Sequence, residues 1–405
     1  MSNGQKIKVA LFSDILRENI DGVTYTLYNI IDRIPRDEFE YLFITAYPPE
    51  DRERVPFQVE TCNYVSFPLY KDYPLALPFF NGKMEKALEE FQPDVIHFTT
   101  PALLGRYALK YGLKHNIPVF STYHTHYLSY IDYYFNFFPG LVRAVKALVR
   151  KITVWFYNKC DLTFVPTQPI VDELEEAGVE KDRMTIWGRG IEMTRYNPDY
   201  RDDEYMDNLC GKGTTRVLFV SRLVDEKEIR TLEKVYKILK ANRPDVKMVI
   251  TGDGPRLKRM QRRMPGAVFT GKLVGADLAR IYASSDLFLF PSVTETFGNV
   301  VLEAMASGLP VVCAASGGPM GIVQHGITGY HVEPKNADDF YYYISALLDD
   351  TKLRTRMSNN AVEYAKKQSW DALCEEMFNI YRAHFAKYTH ADASEEDGQR
   401  DEVAI

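Results

Sequence analysis

Glu295 and Glu303 are separated by seven residues, with Phe297, Gly298 and Asn299 between them. An apolar run at 287–290, bounded by Asp286 and Pro291, reads as a buried strand. Residues 294–296 form a polar loop. From 299 to 307 the apolar residues Val300, Val301, Ala304 and Met305 recur at helical spacing, and Gly308 and Pro310 stop the helix. Glu295 is thus expected in a strand-to-helix loop and Glu303 in the helix body. Gly298 stands at the helix N-terminus, where free backbone N–H groups and the helix dipole favour an anion. Carboxylates accept hydrogen bonds from hydroxyls, and a helix end attracts phosphate. The set suits a sugar carried on a diphosphate. As isolated residues, the two would read as an ordinary loop glutamate and a helix-surface glutamate.

Arg222 and Lys227 follow an expected strand at 217–220. A cation at the carboxyl end of a strand can neutralise a diphosphate; arginine forks onto phosphate oxygens and lysine acts as a point charge. By itself such a heptad reads as a solvated loop. Gly252 and Gly254, in Thr251-Gly-Asp-Gly-Pro255, permit a tight turn and close approach between a strand and a helix. Lys272 follows Gly271, and Ser316-Gly-Gly-Pro319 is by itself a plain turn. Gly22 opens an expected helix at 22–34 after the first strand, so its N–H groups are also free for phosphate. His124 and His126 follow an expected strand at 119–121. A histidine alone is more often structural than catalytic. A metal reading of the pair lacks further ligands nearby, and no Asp-x-Asp motif accompanies it.

The stretch from Glu295 to Glu303, with Phe290-Pro-Ser before it and Ala-Met-Ala-Ser-Gly-Leu-Pro-Val-Val after it, resembles the E-x7-E motif of the family-4 retaining glycosyltransferases of the GT-B fold. The resemblance implies that Glu295 contacts the donor sugar. It implies that the backbone at Phe297, Gly298 and Asn299 meets sugar and phosphate, and that Glu303 holds the ribose. Residues 221–227 resemble the family's G-R-x-x-x-x-K segment, whose Arg and Lys bind the diphosphate; here Ser221 replaces the usual Gly and Glu228 stands where Gly often follows. Gly252 and Gly254 match its G-x-G-P, Lys272 the segment that meets the nucleobase, and Gly317-Gly318 its glycine loop. Ser121-Thr-Tyr-His124-Thr resembles the family's [T/S]-[F/Y]-H-T, whose His lies beside the reacting sugar. Gly22 would face the donor phosphates, as one glycine where many relatives carry two, a form found in relatives that act on lipids.

The resemblance covers nearly the whole chain. It implies an enzyme moving a hexose from a nucleotide sugar, UDP-hexose or GDP-mannose, with retention of anomeric configuration. Arg222, Lys227 and helix N-termini would hold the leaving diphosphate, which would help deprotonate the acceptor. No metal and no cofactor is needed; the nucleotide sugar is a substrate. A soluble or polysaccharide acceptor, or a GT-B sugar-nucleotide epimerase, would share these motifs. A binding subunit without activity would not need Glu295, Glu303, Arg222, Lys227 and His124 together.

Strands and helices alternate along the chain, which means parallel sheets covered on both faces. The fold class expected is α/β, with two doubly wound Rossmann-like domains facing a cleft. Residues 1–195 form the acceptor-binding domain, 196–215 a polar linker, and 216–369 the nucleotide-sugar domain. The last helix, 370–388, is expected to cross back onto the first domain, as it usually does in GT-B proteins. Residues 390–405 are acidic and polar and are expected to be disordered. A chain of 405 residues, 46% hydrophobic and 26% charged, suits two globular domains. A net charge of −6 gives no general case for nucleic acid as partner. Five scattered cysteines without zinc or redox spacing suit a reduced, cytoplasmic chain. No signal peptide is read at the N-terminus, and no apolar run reaches the length of about 18 residues that a span needs.

The acceptor side is expected just after His124. Residues 127–138 are dense in Tyr and Phe. In the helix expected at 141–158, Arg143, Lys146 and Arg150 form a basic stripe, and Leu141, Val145, Leu148, Ile152 and Trp155 an apolar side. A core-facing helix with a solvated basic face has this pattern. So does an interfacial membrane helix. With the lipid-acting relatives, this gives the expectation of a peripheral enzyme on the inner face of a membrane. A lipid such as a diglyceride or ceramide would be its acceptor, met by His126, Tyr127, Arg143, Lys146 and Arg150.

Overall fold

The computed structural model describes residues 6–18, 20–67, 70–79, 82–124 and 139–392. Its strands, in chain order, are β1 (Ile7–Ile15), β2 (Phe39–Tyr47), β3 (Gln58–Thr61), β4 (Asn63–Phe67), β5 (Tyr70–Leu77), β6 (Val95–Phe98), β7 (Val119–Thr122), β8 (Leu162–Val165) and β9 (Met184–Ile186). The second half adds β10 (Thr215–Val220), β11 (Val246–Thr251), β12 (Val268–Gly271), β13 (Leu287–Phe290), β14 (Val311–Ala314) and β15 (Gly329–Val332). One parallel sheet runs β3-β2-β1-β6-β7-β8-β9, the other β12-β11-β10-β13-β14-β15, and β4 and β5 pair as an antiparallel hairpin. Each large sheet reverses direction beside its first strand. The gaps after β1/β6 and β10/β13 are therefore the crevices where such sheets bind ligands.

Strands covered on both faces are apolar throughout. In β1, Ala10 and Phe12 join one core with Leu42, Ile44, Ile96 and Phe98, while Val9 and Leu11 join another with Phe39, Tyr41 and Phe43. Alternation with period two sends these sets to opposite faces. The second core includes Trp370, Cys374, Met377, Phe378 and Tyr381 of the helix Trp370–Asp392. The last helix thus packs on the first domain. Its tie to the sheet is polar as well: His97 on β6 meets Tyr381 through Nδ1 and Thr122 through Nε2 at 2.8 Å.

The polar stretch 196–215 is more structured than a linker. It carries the helix Asp203–Cys210, whose Met206 and Cys210 are buried in the core of the second domain. The domain crossing itself runs earlier, through Trp187–Ile191: Trp187 Nε1 donates to Leu373 O at 2.7 Å and Ile191 N to Gln368 O at 2.9 Å. The segment 58–77 holds β3 and the β4–β5 hairpin. Of the expected tail, residues 393–405 lie outside the described residues.

Candidate active site

The loop after β10 carries the two cations. Lys227 is nearly buried, and its ammonium pairs with the carboxylate of Glu295 from the loop after β13. The arginine is placed differently: Arg222 is more than half exposed, and its Nη2 lies 4.0 Å from Glu226 Oε1. The turn Gly252–Gly254 backs this loop. Ser221 N donates to Thr251 O at 3.1 Å, Leu223 N to Asp253 O at 2.9 Å, and Arg256 N to Leu223 O at 3.0 Å. A Cβ on Gly252 would lie 1.9 Å from the Ser221 carbonyl oxygen, so only glycine fits.

The Glu295 loop is held from two sides. Thr294 Oγ1 donates to Glu226 O at 3.2 Å, which ties it to the cation loop. On the other side Gly318 N donates to Glu295 O at 2.8 Å, and a Cβ on Gly318 would stand 2.4 Å from Phe297 Cα. Phe297 is buried. Gly298, at φ +94°, turns the chain into the helix Asn299–Ala306 and leaves that helix's first N–H groups facing the crevice end of the sheet. Glu303, in the body of that helix, accepts from Tyr282 Oη at 3.0 Å. Burial raises its pKa, while the hydrogen bonds from Tyr282 and Tyr196 and the charge of Arg195 act against that rise. Lys272, just past β12, is exposed.

The first domain brings a second helix N-terminus to the same place. Asp21 caps the helix Gly22–Ile31 by accepting from Val23 N and Thr24 N at 3.0 Å each. A Cβ on Gly22 would lie 3.3 Å from Asn299 Nδ2, so the helices beginning at Gly22 and Asn299 start face to face across the domain boundary. Two positive helix ends and Lys227 converge there, which is what a diphosphate requires. His124 sits two residues past β7. Its carbonyl accepts from Thr296 Oγ1 at 3.0 Å, and its Nδ1 lies 3.0 Å from Arg189 Nη2. Desolvation first, then the charges of Arg189 and His97, hold its pKa well below the ordinary value.

Glu295, Lys227, Phe297, Gly298, Asn299, Gly22 and His124 are thus brought together, and Gly252 and Gly254 support them. His126 and Tyr127 lie outside the described residues. Arg143 and Lys146 are on the helix Pro139–Tyr157, in the part whose side chains are not described. Arg150 donates to Glu176 O and Ala177 O at 2.6 and 3.0 Å, so it caps the end of the helix Gln168–Ala177. On the same helix, three residues of the expected apolar side, Leu148, Ile152 and Trp155, are 59%, 51% and 47% exposed, while the side chains of Leu141 and Val145 lie outside those described. Sequence reasoning missed Arg189, Thr296 and Tyr282. Only Arg189 had a signal, an arginine between two glycines in Trp187-Gly-Arg-Gly190.

Residues 20–195 match the model of Glycosyltransferase Family 4, and residues 203–364 that of glycosyl transferases group 1. A GDP-mannose-dependent alpha-mannosyltransferase of Mycolicibacterium smegmatis is 31% identical over 93% of this chain and 97% of its own. The sulfoquinovosyl transferase of Arabidopsis thaliana is 33% identical over 89% of this chain and 70% of its own. An alpha-monoglucosyldiacylglycerol synthase of Streptococcus pneumoniae is 26% identical over 77% and 72%. Among solved structures, an Anabaena protein in complex with UDP-glucose shares the fold with a TM-score of 0.69 at 20% identity, over 93% of this chain and 99% of that one. The chain belongs to the family-4 glycosyltransferases of the GT-B fold and is a hexosyltransferase.

Proposed function

We propose that the enzyme moves a hexose from a nucleotide sugar to a hydroxyl of a membrane lipid such as a diglyceride or ceramide, with retention. The bond from the anomeric carbon to the diphosphate breaks, and a bond to the acceptor oxygen forms on the same face. The acceptor's proton passes to the leaving phosphate. Lys227 and the helix ends at Gly22 and Asn299 stabilise the charge that develops on the diphosphate. Glu295 meets the sugar and Glu303 the ribose.

The observation that carries the lipid reading is the exposed row Leu148, Ile152 and Trp155, at i, i+4 and i+7 of one helix, beside exposed Arg150 and Lys151. Apolar residues in water flanked by cations suit an anionic membrane surface. Among the described residues no helix is long and apolar enough to cross a membrane, so contact would be peripheral. A relative named for monoglucosyldiacylglycerol synthesis supports a lipid acceptor. Relatives named for GDP-mannose keep that donor beside UDP-hexose.

The test offers labelled UDP-glucose and GDP-mannose, each with vesicles containing diacylglycerol or ceramide, with vesicles lacking both, and with soluble sugars. Label extracted with lipid only in the first case is expected, and Leu148→Glu/Ile152→Glu should abolish vesicle sedimentation. Transfer to soluble sugars alone overturns the lipid reading.

A further inference from the structure

Arg189 is only 3% exposed, and burial, with no carboxylate acting against it among the described residues, lowers its pKa. Its guanidinium is spent on neutral partners. Nη1 donates to Trp187 O at 3.2 Å and to Gly188 O at 2.8 Å, and Nη2 points to His124 Nδ1 at 3.0 Å. The backbone that carries it is clamped: a Cβ on Gly190 would stand 2.4 Å from Trp370 Cγ, and Ile191 N is bonded to Gln368 O. A buried arginine without a counter-ion is costly to keep, so its partners define what it does.

A guanidinium has five N–H donors and no acceptor. The atom facing Nη2 must therefore offer a lone pair. His124 Nδ1 is then bare, and the proton of the neutral ring sits on Nε2. An imidazolium would set two N–H groups against each other. The second domain fixes the same residue from its backbone side, through Thr296 Oγ1 and the His124 carbonyl.

We propose that Arg189 is a positioning residue: it locks His124 as a neutral ring that donates from Nε2 and excludes it as the acid or base of the transfer. The inference rests on the reading that His124 belongs to the transfer site. It deepens that reading by assigning the ring one task, a hydrogen bond to a donor oxygen. The acceptor's proton is left to the leaving diphosphate. The charged and titratable groups bearing on the ring agree. Arg189, held to a pKa of about 9 by burial, stays charged at neutral pH. His97 on β6 also opposes a charge on His124. Glu295, next to Thr296 on the facing loop, is paired with Lys227.

The decisive measurement is nitrogen NMR of histidine-labelled full-length protein, with His124 assigned through His124→Gln. Wild type is expected to show a bare Nδ1 and a protonated Nε2 from pH 5 to pH 9, without titration. In Arg189→Met the ring should lose its fixed tautomer, with the proton on Nδ1 in part of the molecules, while burial still disfavours the imidazolium. At neutral pH kcat should fall roughly 10- to 100-fold, as when a histidine loses its orienting partner, with donor KM little changed. Arg189→Lys keeps a donor and should restore both the tautomer and the turnover. A protonated Nδ1 in wild type overturns the proposal, as does Arg189→Met with wild-type histidine signals. If the methionine variant does not fold, the wild-type spectrum alone decides. Should no nucleotide sugar support transfer while the tautomer is as stated, the functional reading falls with the role in transfer, and only the lock of Arg189 on the His124 tautomer stands.

Discussion

The ion pair between Lys227 and Glu295 joins a residue expected to grip diphosphate to one expected to touch sugar. Without donor, each neutralises the other. A diphosphate must draw Lys227 away from Glu295, and Glu295 must repel it meanwhile. Two substitutions should therefore act in opposite directions. Lys227→Met removes a charge-assisted contact worth about 1.5–3 kcal/mol, so the Kd for nucleoside diphosphate should rise roughly 10- to 100-fold. Glu295→Gln frees Lys227, so calorimetry should show the diphosphate binding more tightly, while turnover falls. Weaker binding in both would mean that Glu295 does not compete with the diphosphate for Lys227 but holds the ammonium in place for it. These two residues were legible because each lies within one short motif. Arg189 and Thr296 were not, because their partner His124 is 65 and 172 residues away in sequence. Nothing local marks a contact that only the fold creates.

Among the elements, the alternation of strand and helix was readable wherever a strand is buried on both faces. It failed at β4 and β5, where tyrosines, prolines and polar residues of 63–77 lack the apolar run. The helix Pro139–Tyr157 fitted two patterns in sequence, because period does not say which side the core lies on: Phe156 and Tyr157 are buried while Leu148 and Ile152 are exposed. Glu228 illustrates local cost. It takes φ +54° at the start of the helix Ile229–Asn242, a left-handed conformation that suits glycine. Its carboxylate accepts from Thr231 Oγ1 at 2.9 Å, which offsets part of the strain. Glu228→Ala keeps the strain and loses the bond, whereas Glu228→Gly loses both. Urea unfolding should rank the glycine variant above the alanine variant by about 1 kcal/mol. Equal stabilities would show that the left-handed turn carries no strain.

The whole molecule is closed by a helix that returns to the first domain, and one buried histidine ties that helix to the sheet. The crossing came from family resemblance; the tie could not be read, since His97 and Tyr381 are 284 residues apart. Burial lowers the His97 pKa from 6.5 to about 3. Once the chain unfolds, the ring regains its ordinary basicity. Below pH 6.5 the unfolded chain takes up a proton that the folded one refuses. The contribution of His97 to stability is therefore complete above pH 6.5 and is lost as pH falls toward 3, by at most about 1.4 kcal/mol per pH unit. His124 shifts in the same direction. Asp14, Asp94 and Glu303 are raised by burial, so they act in the opposite sense. His97→Gln keeps an amide that can bond Tyr381 or Thr122 but cannot titrate. From pH 7 to pH 5 it should lose about 2 kcal/mol less than wild type in urea unfolding. If both lose stability in parallel, His97 takes up its proton in the folded chain as readily as in the unfolded one, and its burial does not shape the acid limb.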